Sequence, residues 1–153
     1  MRVLIQRVRR ASVYIGEDPV ASIGRGLLIF VAFRTGDREE ELGWMAEKVI
    51  HLRIFEDDAG KMNRSLLEVG GEALVVSQFT LYGDARKGRR PGFDAAAPPS
   101  EARVLFEKFV DKLRSHGIQI SSGKFQTSML VELVNDGPVT ILVDSPAAGF
   151  AAG

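Results

Sequence analysis

Two segments gather residue types that could do chemistry on an ester or amide. Ser77-Gln78-Phe79-Thr80-Leu81 directly follows the apolar run Ala73-Leu74-Val75-Val76, so two hydroxyls and a carboxamide stand at the end of a strand-like stretch. Such a place presents side chains and free backbone N–H groups to a ligand, and backbone donors there can stabilise an oxyanion. Ser77 and Thr80 carry the hydroxyl a nucleophile needs, but a nucleophile must also be activated by a base. The second segment is Asn135-Asp136-Gly137-Pro138-Val139-Thr140, set between two strand-like runs. Proline lacks the N–H that a sheet ladder requires, so Gly137-Pro138 needs a reason. Without a function, the first segment is a strand end whose hydroxyls satisfy nearby backbone groups, and the second is a hairpin turn.

Bases are scarce. The histidines are His51 and His116, each near the end of a predicted helix and far apart in sequence. A histidine at a helix C-terminus is favoured electrostatically without any catalytic role, which weighs against a Ser-His-Asp triad but does not exclude it by order alone. The chain has no cysteine, so thiolate catalysis, disulfides and zinc ribbons are excluded. No HExxH motif is present, and Asp57-Asp58-Ala59-Gly60 lacks EF-hand spacing, so no metal or cofactor is expected. Gly24-Arg25-Gly26 precedes a strand rather than a helix and fails the dinucleotide test. Arg86, Lys87, Arg89 and Arg90, with a glycine among them, either suit phosphate contacts or form a solvated charge run. Arg7, Arg9 and Arg10 could extend the same surface.

The elements that must position these residues follow from periodicity. Val3, Ile5, Val8, Val13 and Ile15 predict strands with a bend or bulge at Arg9-Arg10, and residues 20–23 a short strand after a turn. Residues 27–33 are continuously apolar, the pattern of a strand covered on both faces. Asp37 is the predicted cap of a helix whose buried stripe is Leu42, Met45, Ala46, Val49 and Ile50. Strands are predicted at residues 53–55 and 72–79. The irregular stretch 82–99 is longer than an ordinary connection, which marks it as a candidate functional loop. Ser100 is the predicted cap of a second helix, with Ala102, Leu105, Phe106, Phe109, Val110 and Leu113 inward and Gly117 at its end. Strands at 118–121, 128–134 and 139–143 complete the pattern.

This order predicts an α+β fold: a curved, largely antiparallel, barrel-like sheet covered by two helices. At 153 residues with 45% hydrophobic content, the chain suits one domain, here residues 1–144, with an Ala/Gly-rich tail at 145–153 expected to fray. The formal net charge is zero, so any nucleic-acid contact must come from local clusters. No apolar run reaches membrane-helix length, and the N-terminus enters a strand pattern at once, leaving no room for a signal peptide. A cytoplasmic location is the expectation.

Together these segments resemble the D-aminoacyl-tRNA deacylases of the widespread bacterial and eukaryotic type. The resemblance spans nearly the whole chain. It runs through Leu4-Ile5-Gln6-Arg7-Val8, Ala11-Ser12-Val13, Arg53-Ile54-Phe55, Gly60-Lys61-Met62-Asn63 and Val75-Val76-Ser77-Gln78-Phe79-Thr80-Leu81. It continues with Arg90-Pro91 and closes on Leu133-Val134-Asn135-Asp136-Gly137-Pro138-Val139-Thr140. It implies a homodimeric, cofactor-free hydrolase that cleaves the ester joining a D-amino acid to the 3′-terminal adenosine of tRNA, with glycyl-tRNA as a further substrate. Gly137-Pro138 then corresponds to a cis pair that enters the partner subunit's active site and occupies the space an L side chain needs. The backbone N–H groups of Phe79 and Thr80 hold the ester carbonyl oxygen, while Ser77, Gln78 and Met129 contact substrate. Thr80 has a binding role, covalent catalysis by its hydroxyl being the alternative, and the terminal ribose 2′-OH assists attack by water. Arg86, Lys87, Arg89 and Arg90 are the candidate tRNA phosphate contacts. Two competing functions stay open: an RNA-binding module without catalysis, and an ordinary esterase using Ser77 or Thr80. The sequence departs from the family pattern where a Phe-Gly-Ala segment reads Phe125-Gln126-Thr127, and where Gly92 replaces a common serine.

Overall fold

A computed structural model describes residues 1–146 of the chain. The strands are β1 (Arg2–Ile15), β2 (Asp18–Ile23), β3 (Gly26–Ala32), β4 (Phe55–Glu56), β5 (Met62–Arg64), β6 (Glu72–Ser77), β7 (Ile120–Ser122) and β8 (Leu130–Asp144). The helices are α1 (Glu39–His51), the one-turn α2 (Leu66–Val69) and α3 (Pro99–Arg114), with a single 3-10 turn at Phe79–Tyr82. The fold is α+β with a nearly closed mixed sheet, as the periodicity predicts. Two of its pairings, β3 with β6 and β6 with β7, are parallel, and the others in this sheet are antiparallel. The short β4–β5 hairpin stands apart from the main sheet.

β1 organises the sheet because it is long enough to hold three partners. Its first half pairs β3 from Arg2 to Val8, and its second half pairs β2 from Ala11 to Ile15. β8 runs antiparallel along the whole of its other edge. The predicted irregularity at Arg9-Arg10 is a bulge: the ladder passes from Val8↔Asn135 to Arg10↔Val134, leaving Arg9 as the extra residue.

The continuous apolar run of β3 is explained by two separate cores. Leu27, Ile29 and Val31 face α1 and α3, joined by Val3, Ile5, Met45, Val49, Phe106 and Phe109. Leu28 points the other way, into a smaller cluster with Val8, Val13, Leu74 and Val76, closed by Met129, Val131 and Leu133. A sheet curled over its own inner face needs no helix there, which is why two long helices suffice.

Several boundaries differ from the sequence expectation. Asp37 does not cap α1, because its buried carboxylate is held by the Met1 ammonium at 2.8 Å and by the Arg34 N–H at 2.8 Å. Arg38 takes the cap position, with its N–H donated to Glu41 at 2.8 Å. Pro98 rather than Ser100 takes the cap position of α3, and Pro99 takes the first turn, where a missing N–H costs nothing. β6 stops at Ser77, two residues early. The tail expectation applies beyond residue 146, outside the described residues. Ser145 itself is buried, donating its N–H to the Met1 carbonyl at 2.9 Å. Among the described residues no helix is long and apolar enough to cross a membrane.

Candidate active site

β6 lies next to β3 in the sheet, so its C-terminal end is rigidly placed. Beyond Ser77 the Gln78 N–H still reaches the Val31 carbonyl at 2.8 Å, continuing the β3 contact by one residue. The chain then turns into the 3-10 helix, with Leu81 N–H on the Gln78 carbonyl at 3.1 Å and Gly83 N–H on the Thr80 carbonyl at 2.9 Å. The first N–H groups of a helical turn have no partner within it. Accordingly, the amides of Phe79 and Thr80 donate to no atom among the described residues. Two adjacent unpaired donors at a strand-to-turn junction are suited to a developing oxyanion.

A cleft of about 810 Å³ opens beside this turn. Ser77, Gln78 and Phe79 form one wall, and Phe125, Gln126, Thr127, Ser128 and Met129 form the other. Pro98, Pro99 and Ala102 at the start of α3 also line it, as do Phe93 and Asp94. The lining is chiefly apolar with a few polar groups, the character of a small-molecule pocket. The second wall is stiffened from behind: Phe125 packs on Phe106 at 5.9 Å between ring centroids, with the Arg103 guanidinium 4.9 Å from its own. Gln126, at the position of the expected family glycine, holds φ +53°. That left-handed geometry is one a glycine would adopt freely.

Of the sequence candidates, Ser77, Gln78, Phe79 and Met129 come together in this cleft. Thr80 does not line it; its side chain is exposed, and its hydroxyl accepts a hydrogen bond from Gln78 Nε2. Neither histidine lines the cleft. His51 and His116 instead meet each other through Glu47, His116 Nε2 lying 2.9 Å and His51 Nε2 3.3 Å from its carboxylate. The cleft's titratable lining group is Asp94. Among the described residues no three His, Asp or Glu side chains cluster as metal ligands.

Gly137-Pro138 stands elsewhere, and it is not a hairpin turn. The runs on either side of it pair with β1 in the same direction, as one strand. Between Gln6↔Thr140 and Val8↔Asn135, the four residues 136–139 on β8 oppose Arg7 alone. The excursion carries a cis Gly137–Pro138 peptide, and Gly137 has φ +142°. A Cβ on Gly137 would fall 2.8 Å from Val139 Cγ2 and 3.1 Å from Arg7 Nη2, so only glycine fits. Arg7 is buried behind this loop, donating from Nε to the Asp136 carbonyl at 2.8 Å and from Nη1 to the Ile54 carbonyl at 2.7 Å. It therefore belongs to no basic surface, contrary to the sequence expectation. Neither Gly137 nor Pro138 lines the cleft of its own chain.

Comparison with known proteins identifies the family. A family model described as D-Tyr-tRNA(Tyr) deacylase matches residues 4–144. The chain belongs to the D-Tyr-tRNA(Tyr) deacylase family. A D-aminoacyl-tRNA deacylase of Thermomicrobium roseum is 61% identical over 145 residues, covering 95% of this chain and 94% of the relative. One from Thermotoga petrophila is 55% identical, covering 95% of this chain and 97% of the relative. Among solved structures, a c-Myc DNA unwinding element binding protein superposes with a TM-score of 0.90 at 40% identity, covering 96% of this chain and 100% of the other. A probable eukaryotic D-amino acid tRNA deacylase shares the fold at a TM-score of 0.81 and 21% identity, covering 93% of this chain and 97% of the other. Within the D-Tyr-tRNA(Tyr) deacylase family frame, Phe93, Asp94, Pro98 and Pro99 are cleft residues that periodicity missed. They sit in the irregular stretch 82–99, whose last residue opens α3, and its unusual length was the one sequence signal for them.

Proposed function

We propose that this chain hydrolyses the ester of D-aminoacyl-tRNA in the cytoplasm, releasing the free amino acid and the tRNA. The observation that carries the proposal is the pair of unpaired N–H groups at Phe79 and Thr80 beside an apolar cleft, in a chain of this family. The ester carbonyl oxygen would lie against these donors as water attacks the carbonyl carbon. The carbon–oxygen bond to the terminal ribose then breaks, and the ribose oxygen leaves with a proton. Ser77, Gln78 and Met129 line the space for the aminoacyl group. With Thr80 outside the cleft and no histidine near it, the terminal ribose 2′-OH is the group best placed to assist the water, and Thr80 serves binding. Thr80→Ala therefore retains substantial turnover, whereas a 2′-deoxy terminal adenosine slows it sharply.

Selectivity for the D form rests on a second copy of the chain. Among the described residues β8 has no strand on its far edge, and Leu130 and Leu142 of this strand are 67% and 53% exposed. Long unpaired edges with apolar side chains favour pairing with another chain. In a homodimer Gly137-Pro138 of one copy would reach the other's cleft and fill the volume an L side chain requires. Glycine, having no side chain, would pass, which makes glycyl-tRNA a second substrate. The decisive assay compares purified protein on matched D- and L-tyrosyl-tRNA. Release of D-tyrosine with the L ester spared supports the proposal; equal hydrolysis of both sinks chiral rejection.

A further inference from the structure

A second cavity, of about 740 Å³, lies beside the first, and Asp94 lines both. Its remaining walls include Tyr82, Asp84, Arg86, Lys87, Arg90 and Gly92. The basic segment is not a loose charge run here. Asp84 and Gly92 exchange backbone hydrogen bonds at 2.8 and 2.9 Å, which pinches residues 85–91 into a closed loop, with Gly88 at φ +69° inside it. The four cations of this loop are then not equivalent. Arg86 grips Asp84 through Nε at 2.8 Å and Nη2 at 2.6 Å, and this contact lowers the Asp84 carboxyl to about 2. Arg86 and Asp84 thus cancel each other and form a wall. Lys87 and Arg90 line the cavity with no carboxylate within salt-bridge distance among the described residues, while Arg89 does not line it.

We propose that Lys87 and Arg90 bind the phosphodiester groups leading into the 3′ end of the substrate RNA, the second cavity serving as their seat. This rests on the deacylase reading of the first cavity. If the aminoacyl ester sits by Phe79, the terminal nucleoside must leave the cleft, and the nucleotide before it brings phosphate charge. The second cavity sets the two unneutralised cations against the single carboxylate of Asp94 that it shares with the first, and an excess of unneutralised cations attracts a polyanion. Phe79 and Phe93, whose rings meet edge to face at 5.1 Å, line the first cavity and not the second, so the apolar surface stays with the ester end. Backbone phosphate contacts position the RNA without reading its sequence, so this site would serve any acceptor end.

The test compares two substrates that share the ester but differ in phosphate: D-tyrosyl-tRNA and D-tyrosyl-adenosine, which has none. Lys87→Gln/Arg90→Gln should raise KM for D-tyrosyl-tRNA at least tenfold with kcat little changed. It should also make the slope of log(kcat/KM) against log salt shallower by roughly 1.4, at about 0.7 per single-strand phosphate contact. Hydrolysis of D-tyrosyl-adenosine should stay the same. Lys61→Gln, on the β4–β5 hairpin and lining neither cavity, controls for the loss of a surface cation and should change neither. Unaltered KM and salt slope on the tRNA would overturn the proposal, as would equal losses on both substrates. Should the wild type cleave neither substrate, the deacylase reading falls by itself. Fluorescence anisotropy with an uncharged CCA-ended RNA then decides the phosphate site, which survives only if the double variant weakens binding and Lys61→Gln does not.

Discussion

Asn135 and Val139 are locked together across the excursion that holds Gly137-Pro138. The Asn135 Oδ1 accepts the Val139 N–H at 2.7 Å, while its Nδ2 donates to the Val139 carbonyl and the Thr140 hydroxyl, each at 3.1 Å. The side chain takes over the ladder bonds that four residues opposing one have lost. Asn135→Ala should therefore cost about 1–2 kcal/mol of stability, read from a denaturant midpoint. It should also raise hydrolysis of the L ester relative to the D ester as the loop loosens.

Arg7 braces the same loop from the buried side. Arg7→Met keeps most of the packing but leaves the Asp136 and Ile54 carbonyls without their donor. A buried acceptor deprived of a charged partner costs about 1.5–3 kcal/mol. We expect a fall in the denaturation midpoint of that order and a D/L discrimination ratio that drops further than with Asn135→Ala. An unchanged ratio would separate the brace from selectivity.

Gln126 holds a left-handed backbone at φ +53° on the cleft wall, where its Oε1 accepts an exposed hydrogen bond from Arg103 at 3.2 Å. A non-glycine residue pays about 1 kcal/mol for that geometry, and an exposed contact returns less. Gln126→Gly should hold the same conformation and stabilise by up to ~1 kcal/mol in a thermal or denaturant melt. Gln126→Val should destabilise.

The Tyr82 hydroxyl is buried without a hydrogen-bond partner among the described residues, and burial pushes its ionisation up to about 12. Its ring meanwhile carries the Arg2 guanidinium, 5.0 Å from the centroid. Tyr82→Phe keeps the ring and removes the unsatisfied group. Stability should be unchanged or rise by about 1 kcal/mol. A loss above that would mean the hydroxyl has a partner in solution.

His116 ties the C-terminal end of α3 to α1. It faces Glu47, the His51 ring at 6.4 Å and the Lys112 carbonyl, and the Glu47 hydrogen bond raises its pKa above the ordinary 6.5. The folded state thus binds the proton more tightly than the unfolded chain. The stability this adds is complete below pH 6.5 and is lost as pH rises through the raised value. His116→Gln should melt below the wild type at pH 5.5, with the difference shrinking by pH 9.

Much of this molecule was legible in one dimension. The stripe Leu42, Met45, Ala46, Val49 and Ile50 is buried in full, as are Ala102, Phe106, Phe109, Val110 and Leu113 of the second helix, with Leu105 half-buried, because helix periodicity is a local property. The Ser77 to Phe79 wall, too, could be found from polar residues abruptly ending an apolar run. Asp37 and Ser100 misled because their alternatives, the Met1 ammonium and a proline at the first turn, compete with cap formation in ways spacing does not record.

What only the tertiary structure decided was the relation between distant segments. Gly137-Pro138 looked like a turn between two strands, yet both halves share β1 because β1 is long enough to pair each in turn. Arg7 looked like a surface cation and became the buried brace of that loop, and Arg86 looked equivalent to Lys87 and Arg90 until Asp84 claimed it. The sequence determined which residues had chemistry to offer. Register and partner choice depend on contacts between residues far apart in the chain, whose energies no local pattern encodes, and these settled which of them face the cleft.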